Sequence, residues 1–229
     1  MSCKFVDKTC INCKYSDEYM VYSYGEPKND FDAYKNYIDF DLQVCPNCGY
    51  ISLDLEQIAN KSFNGLKNTN AYKNAQDYMY LQDYLQDVDP QKLYSYPANL
   101  YECYAIMQEQ SLEIDLSIRA YFRSVILKEA IVSRYQKELE EDFDEFEPEE
   151  IQSYQNLQSA LVESIKDNIS KIIELYSQST KYAFIKIIYI ECLLRFFKVQ
   201  EAQDIYKQIE SKIDENLQEY IDNLIEQRR

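Results

Sequence analysis

The chain has 229 residues, a formal net charge of −16, no histidine, no tryptophan, 3 glycines and 5 prolines. So few turn residues exclude β-sandwiches and doubly wound sheets, which need one at nearly every connection, and leave a mostly helical body. The missing histidine removes both the commonest general base and the commonest neutral metal ligand, and the acidic field opposes phosphate backbones and anionic lipid.

The first residues, "MSCKFVDKTC", lack the apolar core of a signal peptide. The most apolar segment, Tyr182 to Phe197, carries Lys186, Glu191 and Arg195, so it predicts a buried helix rather than a membrane span. These features imply a cytoplasmic chain in a reducing compartment. There the 7 cysteines are not expected to form disulfides.

Four of the cysteines form two C-x-x-C pairs, Cys10 with Cys13 ("CINC") and Cys45 with Cys48 ("CPNC"). Each such turn lets two thiolates converge on one ion while backbone N–H groups face the sulfurs. Two turns together supply the closed four-sulfur site that structural zinc prefers. Gly49 suits the positive φ that such a turn requires, Pro46 restricts the turn in advance, and Lys14 stands at the equivalent place in the first pair. Iron in the same cage and a redox dithiol are the alternatives. A redox dithiol wants one pair opening a helix in a βαβ setting, and "GYISLD" does not open a helix. Cys3 is a spare thiol near the terminus, and Cys103 and Cys192 sit among apolar residues as core cysteines.

Between the pairs, "YMVYSYGEP" and "YIDFDLQVC" alternate aromatic and β-branched residues and predict strands. Strands flanking cysteine turns make a zinc ribbon over 1–54, a module held by its ion, which contributes on the order of 10–16 kcal/mol. Residues 1–60 hold 5 lysines against 10 acidic residues, a balance unlike that of a ribbon gripping nucleic acid.

From Leu55 the period becomes helical, giving a second region over 55–229. Helices are predicted over Ala71–Asp89, ending at Pro90; over Pro97–Gln110; and over Ser111–Glu141, with Ile118, Phe122, Val125 and Val132 on one face. Nine of the 13 residues from Glu138 to Glu150 are acidic. They lack the spacing of a calcium loop and read as a solvated connector. A helix restarts at Pro148 with the stripe Tyr154, Leu157, Leu161, Ile165, Ile169, Ile172 and Tyr176. The apolar helix Lys181–Lys198 follows, and then Gln200–Gln227, as one helix or two. The fold class is therefore mainly α: a small N-terminal β zinc ribbon followed by an antiparallel helical bundle. The last pair, a bulky helix followed by one with small Ala202, is tetratricopeptide-like in layout. The 23 tyrosines read as helix-packing residues with surface hydroxyls.

The segment "DFDAYKNYIDFDLQVCPNCGYISLD", with a C-x-x-C before it and a tetratricopeptide-like end, resembles a family of bacterial proteins of unknown function. In that family a zinc-ribbon-like region with a "CPxCGY" knuckle precedes a helical region. The resemblance implies metal binding at Cys10, Cys13, Cys45 and Cys48 and no established activity. Two stretches depart from the pattern: "CINCK" stands for a knuckle richer in proline and glycine, and "KVQEA" stands where a glycine joins the last helix pair.

These features imply a zinc-binding, non-enzymatic adaptor or scaffold whose helical surface binds a protein partner. One alternative is an enzyme with its site between ribbon and helices, although no G-x-S-x-G or phosphate-cradling glycine loop is present. The other is a nucleic-acid-binding ribbon, which the charge opposes.

Overall fold

The computed structural model describes residues 2–23, 26–56, 63–66, 69, 90–141 and 148–228. The expected helix Ala71–Asp89 and the middle of the acidic connector, 142–147, lie outside them.

The N-terminal region is two β-hairpins joined by a helix. Strands β1 (Ser2–Thr9) and β2 (Ser16–Ser23) pair antiparallel from Ser2↔Ser23 to Thr9↔Ser16. The shorter hairpin joins β3 (Gln43–Val44) to β4 (Ile51–Ser52) through the pair Val44↔Ile51. A C-x-x-C turn closes each hairpin.

Between the hairpins runs α1 (Asp30–Ile38), which takes Tyr37 and Ile38 from the strand expected over Tyr37–Cys45; only Gln43–Val44 of that stretch is strand. The reason is local. Asn29 is an N-cap whose side chain accepts the Asp32 N–H at 2.7 Å, and Asp30 and Asp32 place negative charge in the first turn. Tyr34 then faces the core at the helical interval from Phe31 and Ile38.

The body is mainly helical, as its sparse turn residues predict. After the single turn α2 (Phe63–Leu66) come α3 (Pro90–Gln110), α4 (Ile114–Glu141), α5 (Pro148–Tyr176), α6 (Ala183–Arg195), α7 (Val199–Tyr206) and α8 (Glu215–Glu226). Helix α3 begins at Pro90, not at Pro97. Pro97 has no N–H to give, yet it sits inside the helix, where tertiary packing of the face that includes Ala98, Tyr101 and Ala105 overrides its local preference. Pro148 opens α5, a position at which its missing N–H costs nothing. The segment after α6 divides into α7, a 3-10 turn at Glu210–Lys212 and α8.

Helices α3, α4 and α5 pack in sequence. A polar knot sits in their shared interior. The Lys128 ammonium, 1% exposed, bonds to Glu102 and to the Ser164 hydroxyl, while the Asn168 amide reaches Glu102 and Ser124. A buried charge is tolerated when it is paired in this way. Helix α6 is apolar almost all round, with Ile185, Ile187, Ile188, Ile190, Cys192, Leu193 and Leu194 all buried, and it forms the centre of the body. No described helix is long and apolar enough to cross a membrane.

One continuous core joins the hairpins to the helices. Tyr50 meets Phe63 edge-on at 5.3 Å, and Phe40 meets Tyr101 edge-on at 5.0 Å, with the Tyr101 hydroxyl bonded to the Phe40 carbonyl. Helix α1 reaches further. The Tyr34 hydroxyl donates to Glu191 at 2.7 Å and Phe31 packs on Tyr220 at 5.0 Å. The tyrosine hydroxyls are therefore not all at the surface: that of Tyr34 is fully interior and held by a carboxylate.

Candidate metal centre

The two cysteine turns are built alike. In the first, the Cys10 carbonyl accepts the Lys14 N–H at 2.8 Å and the Cys10 N–H donates to the Tyr15 carbonyl at 2.8 Å. In the second, the Cys45 carbonyl accepts the Gly49 N–H at 2.8 Å and the Cys45 N–H donates to the Tyr50 carbonyl at 2.9 Å. Both turns need a left-handed residue after the second cysteine. Gly49 takes it at φ 72° and Lys14 at φ 66°, so the first knuckle keeps the geometry of the second and accepts the side-chain strain.

The turns face each other. Cys10 Sγ stands 3.7 Å from Cys48 Sγ, Cys13 Sγ stands 3.6 Å from Cys45 Sγ, and all four sulfurs lie within 4.8 Å of one another. Four thiolates at zinc–sulfur bond length around one ion would stand about 3.8 Å apart. The four cysteines are therefore close enough together to hold one metal ion. Cys10 and Cys45 are fully buried, while Cys13 and Cys48 are half-buried and form the outer side of the cluster. The Cys3 side chain lies outside what is described. Cys103 and Cys192 are buried in the helical core, where burial pushes both thiols up from their ordinary values.

The surroundings of the sulfurs follow the same near symmetry. Cys10 Sγ faces the backbone N–H groups of Asn12 and Cys13, and Cys45 Sγ faces those of Asn47 and Cys48. The outer sulfurs are served from across the site: the Asn47 amide donates to Cys13 Sγ at 3.4 Å and the Asn12 amide donates to Cys48 Sγ at 3.3 Å. Burial raises the thiols of Cys10 and Cys45. At Cys13 burial acts in the same direction, but the Asn47 amide, the Tyr15 N–H and the neighbouring thiols outweigh it and bring the group down to about 6. A sulfur that receives N–H donors carries thiolate charge more easily, as metal binding requires.

The segment after β4 ties the hairpins together. The Ile11 N–H donates to the Leu55 carbonyl at 2.9 Å, Lys8 pairs with Asp54 at 2.6 Å, and the Leu55 N–H donates to the Gln43 side chain at 3.1 Å.

Cysteine spacing alone does not single out the two Asn donors, though the sequence carries a signal for them. Both turns share the pattern C-x-N-C, then Lys or Gly, then Tyr, and an amide at the third position can reach across only when the turns are opposed. Compared with protein-family models, with curated proteins and with solved structures, the chain matches none.

Proposed function

We propose that the chain is a zinc-stapled, non-enzymatic scaffold, in which the four-cysteine site is structural and the helical surface binds a protein partner in the cytoplasm. The observation that carries the metal reading is the convergence of four sulfurs within 4.8 Å of one another between two turns with the same backbone hydrogen bonds. Four thiolates close the coordination sphere and leave no position for a substrate, and the sulfur donor set with buried N–H neighbours suits zinc.

The buried charges support a structural rather than a chemical role for the body. Lys128 is engaged by Glu102 and Ser164, and Glu191 by Arg195, Tyr34 and Tyr220, so these groups spend their hydrogen bonds fastening helices to one another. A net charge of −16 favours a protein partner with a basic face over nucleic acid or anionic lipid.

The test is elemental mass spectrometry on protein purified without chelators, beside a Cys45→Ser/Cys48→Ser variant. Near one zinc per chain is expected, lost in the variant together with amide-exchange protection of β1–β4 while α4–α6 stay protected. A wild-type chain with no metal and freely titrating thiols overturns the reading. Iron at one per chain would keep the site and replace the metal.

A further inference from the structure

The outer sulfurs of the cluster raise a physical problem that the inner ones do not. Cys10 and Cys45 are fully buried and each receives two backbone N–H groups from its own turn. Cys13 and Cys48 are half-exposed, so water, chelators and oxidants approach the centre from their side. A tetrathiolate around a divalent ion carries a net charge of −2, and it sits in a chain that is already strongly acidic. Donors to the outer thiolates offset that charge and keep the sulfurs aimed at the ion.

We propose that Asn12 and Asn47 are reciprocal positioning residues that lock the metal in place, each holding the outer thiolate of the opposite turn. The proposal rests on the metal reading above and adds the residues that set how tightly and how long the ion is held. Four observations carry it. The two contacts are related by the same near symmetry as the turns, Asn12 to Cys48 at 3.3 Å and Asn47 to Cys13 at 3.4 Å. Each asparagine is the residue just before the outer cysteine of its own turn, so its backbone N–H serves the inner sulfur of its own side while its side chain serves the far outer one. The contacts cross from one turn to the other, joining parts of the chain 36 and 34 residues apart. Finally, Asn47 is exposed and Asn12 contacts its partner at the exposed side of the site, so nothing in the core requires an amide at either place.

The crossed arrangement has a kinetic consequence. A C-x-x-C turn that let go of the ion would also withdraw its amide from the thiolate of the turn still bound. Release of either half therefore weakens the other, and the two halves open together. Truncating an amide removes one donor and leaves the four ligands in place, so metal stoichiometry should persist while retention falls.

The experiment uses the full chain with zinc bound, and variants Asn12→Ala, Asn47→Ala, the double variant, and Asn223→Ala on exposed α8 as a control. The readouts are zinc per chain, the rate of zinc transfer to excess EDTA, and the cobalt(II)-thiolate spectrum of the cobalt-substituted protein. Each single variant is expected to keep one zinc and a tetrahedral cobalt spectrum while releasing zinc about 10–100-fold faster than wild type. Asn47→Asp, which places a carboxylate against a thiolate, should release it faster than Asn47→Ala, and Asn223→Ala should match wild type. In the double variant the loss should be less than the product of the two single losses, because either substitution already breaks the reciprocal lock. Release rates indistinguishable from wild type in both single variants overturn the proposal while leaving the zinc reading standing. A wild-type chain with no zinc overturns the zinc reading itself, and the proposal with it. Should an alanine variant lose its helical circular dichroism, Asn→Gln at the same site decides: slow release restored by the longer amide supports the lock, and a folded Gln variant that releases zinc as fast as the alanine variant overturns it.

Discussion

Lys14, Leu112, Lys181 and Phe197 all hold positive φ, between 57° and 66°, in a chain with 3 glycines. At Leu112 and Phe197 the cause is a helix ending. The Glu113 N–H returns to the Gln108 carbonyl at 2.9 Å, and the Lys198 N–H returns to the Leu193 carbonyl at 2.9 Å. Both are the paired closing bonds that require a left-handed residue just past the helix, a place where glycine is the usual occupant. Both side chains are then thrown outward, Leu112 at 79% and Phe197 at 73% exposure, and although the Arg228 guanidinium lies over the Phe197 ring at 5.8 Å, neither side chain offsets its backbone strain by burial in the core. Left-handed backbone costs an L-residue about 1–2 kcal/mol, and glycine's greater freedom in the unfolded chain returns about half of that. Leu112→Gly and Phe197→Gly are therefore each expected to raise unfolding free energy by about 0.5–1 kcal/mol in urea titrations followed by circular dichroism. A loss at either site would contradict the strain argument. Glu191 gives the opposite case. It is 4% exposed inside the most apolar helix, bonded to Arg195, Tyr34 and Tyr220. Glu191→Ala strands two hydroxyls and removes one of the two carboxylates paired with Arg195, leaving that of Glu129, at an expected cost of about 3–5 kcal/mol in the same titration.

Helix α1 is the element through which the hairpins take hold of the body, and its first residue shows how. The Asp30 N–H donates to Asp214 Oδ2 at 2.6 Å, and the Asp214 N–H donates to Asp30 Oδ2 at 2.8 Å. Asp214 is the N-cap of α8 and also accepts the Leu217 N–H at 3.0 Å. Two helix starts thus lie against each other, and each aspartate satisfies a donor of the other. Asp30→Ala and Asp214→Ala are each expected to cost about 1 kcal/mol. In a double-mutant cycle by denaturant unfolding the two losses should be close to additive, since alanine keeps each backbone N–H and each substitution removes a different bond. No loss in either single variant would refute the exchange.

The same element marks where the sequence is easy to read and where it is not. The cysteine spacing, the positive φ at Gly49, and the faces of α4 and α5 follow from local rules, because turn chemistry and a 3.6-residue stripe are written in adjacent residues. Helix α1 is short, and its aromatic residues Phe31, Tyr34 and Tyr37 fill only two helical turns; the Asn29 cap and the acidic first turn mark its start, while the alternating stretch expected as strand begins at its end, Tyr37. The Asp30–Asp214 exchange joins positions 184 residues apart, and the Tyr34–Glu191 bond joins positions 157 apart. No local pattern encodes either. Helix α3 starts at Pro90 and not at Pro97 for the opposite reason: the local preference of proline for a first turn is overridden there by packing.

At the scale of the whole molecule, the tyrosines make this fold sensitive to alkali. Burial is the first cause of the upward shift at Tyr34, Tyr104 and Tyr121, reinforced at Tyr34 by the Glu191 carboxylate and at Tyr121 by Glu109. Tyr104 is raised to about 12, and Tyr34 lies well above its ordinary value. In the unfolded chain a tyrosine ionises near pH 10. Above that pH the unfolded state gives up protons that the folded state still holds, so each such tyrosine lowers stability as pH rises, and none of this loss occurs below pH 10. The slope is about 1.4 kcal/mol per pH unit per tyrosine. Tyr34, Tyr104 and Tyr121 act in the same direction, so above pH 10 they draw together on the 5–15 kcal/mol that holds a typical domain. The body should therefore lose stability steeply above pH 10. In a pH titration the last part of the tyrosinate absorbance, that of the interior tyrosines among the 23, should rise together with the loss of helical circular dichroism. Its full rise with the helices intact would show that these hydroxyls reach solvent, and that the contacts of Tyr34 with Glu191 and Tyr121 with Glu109 do not hold them in the core.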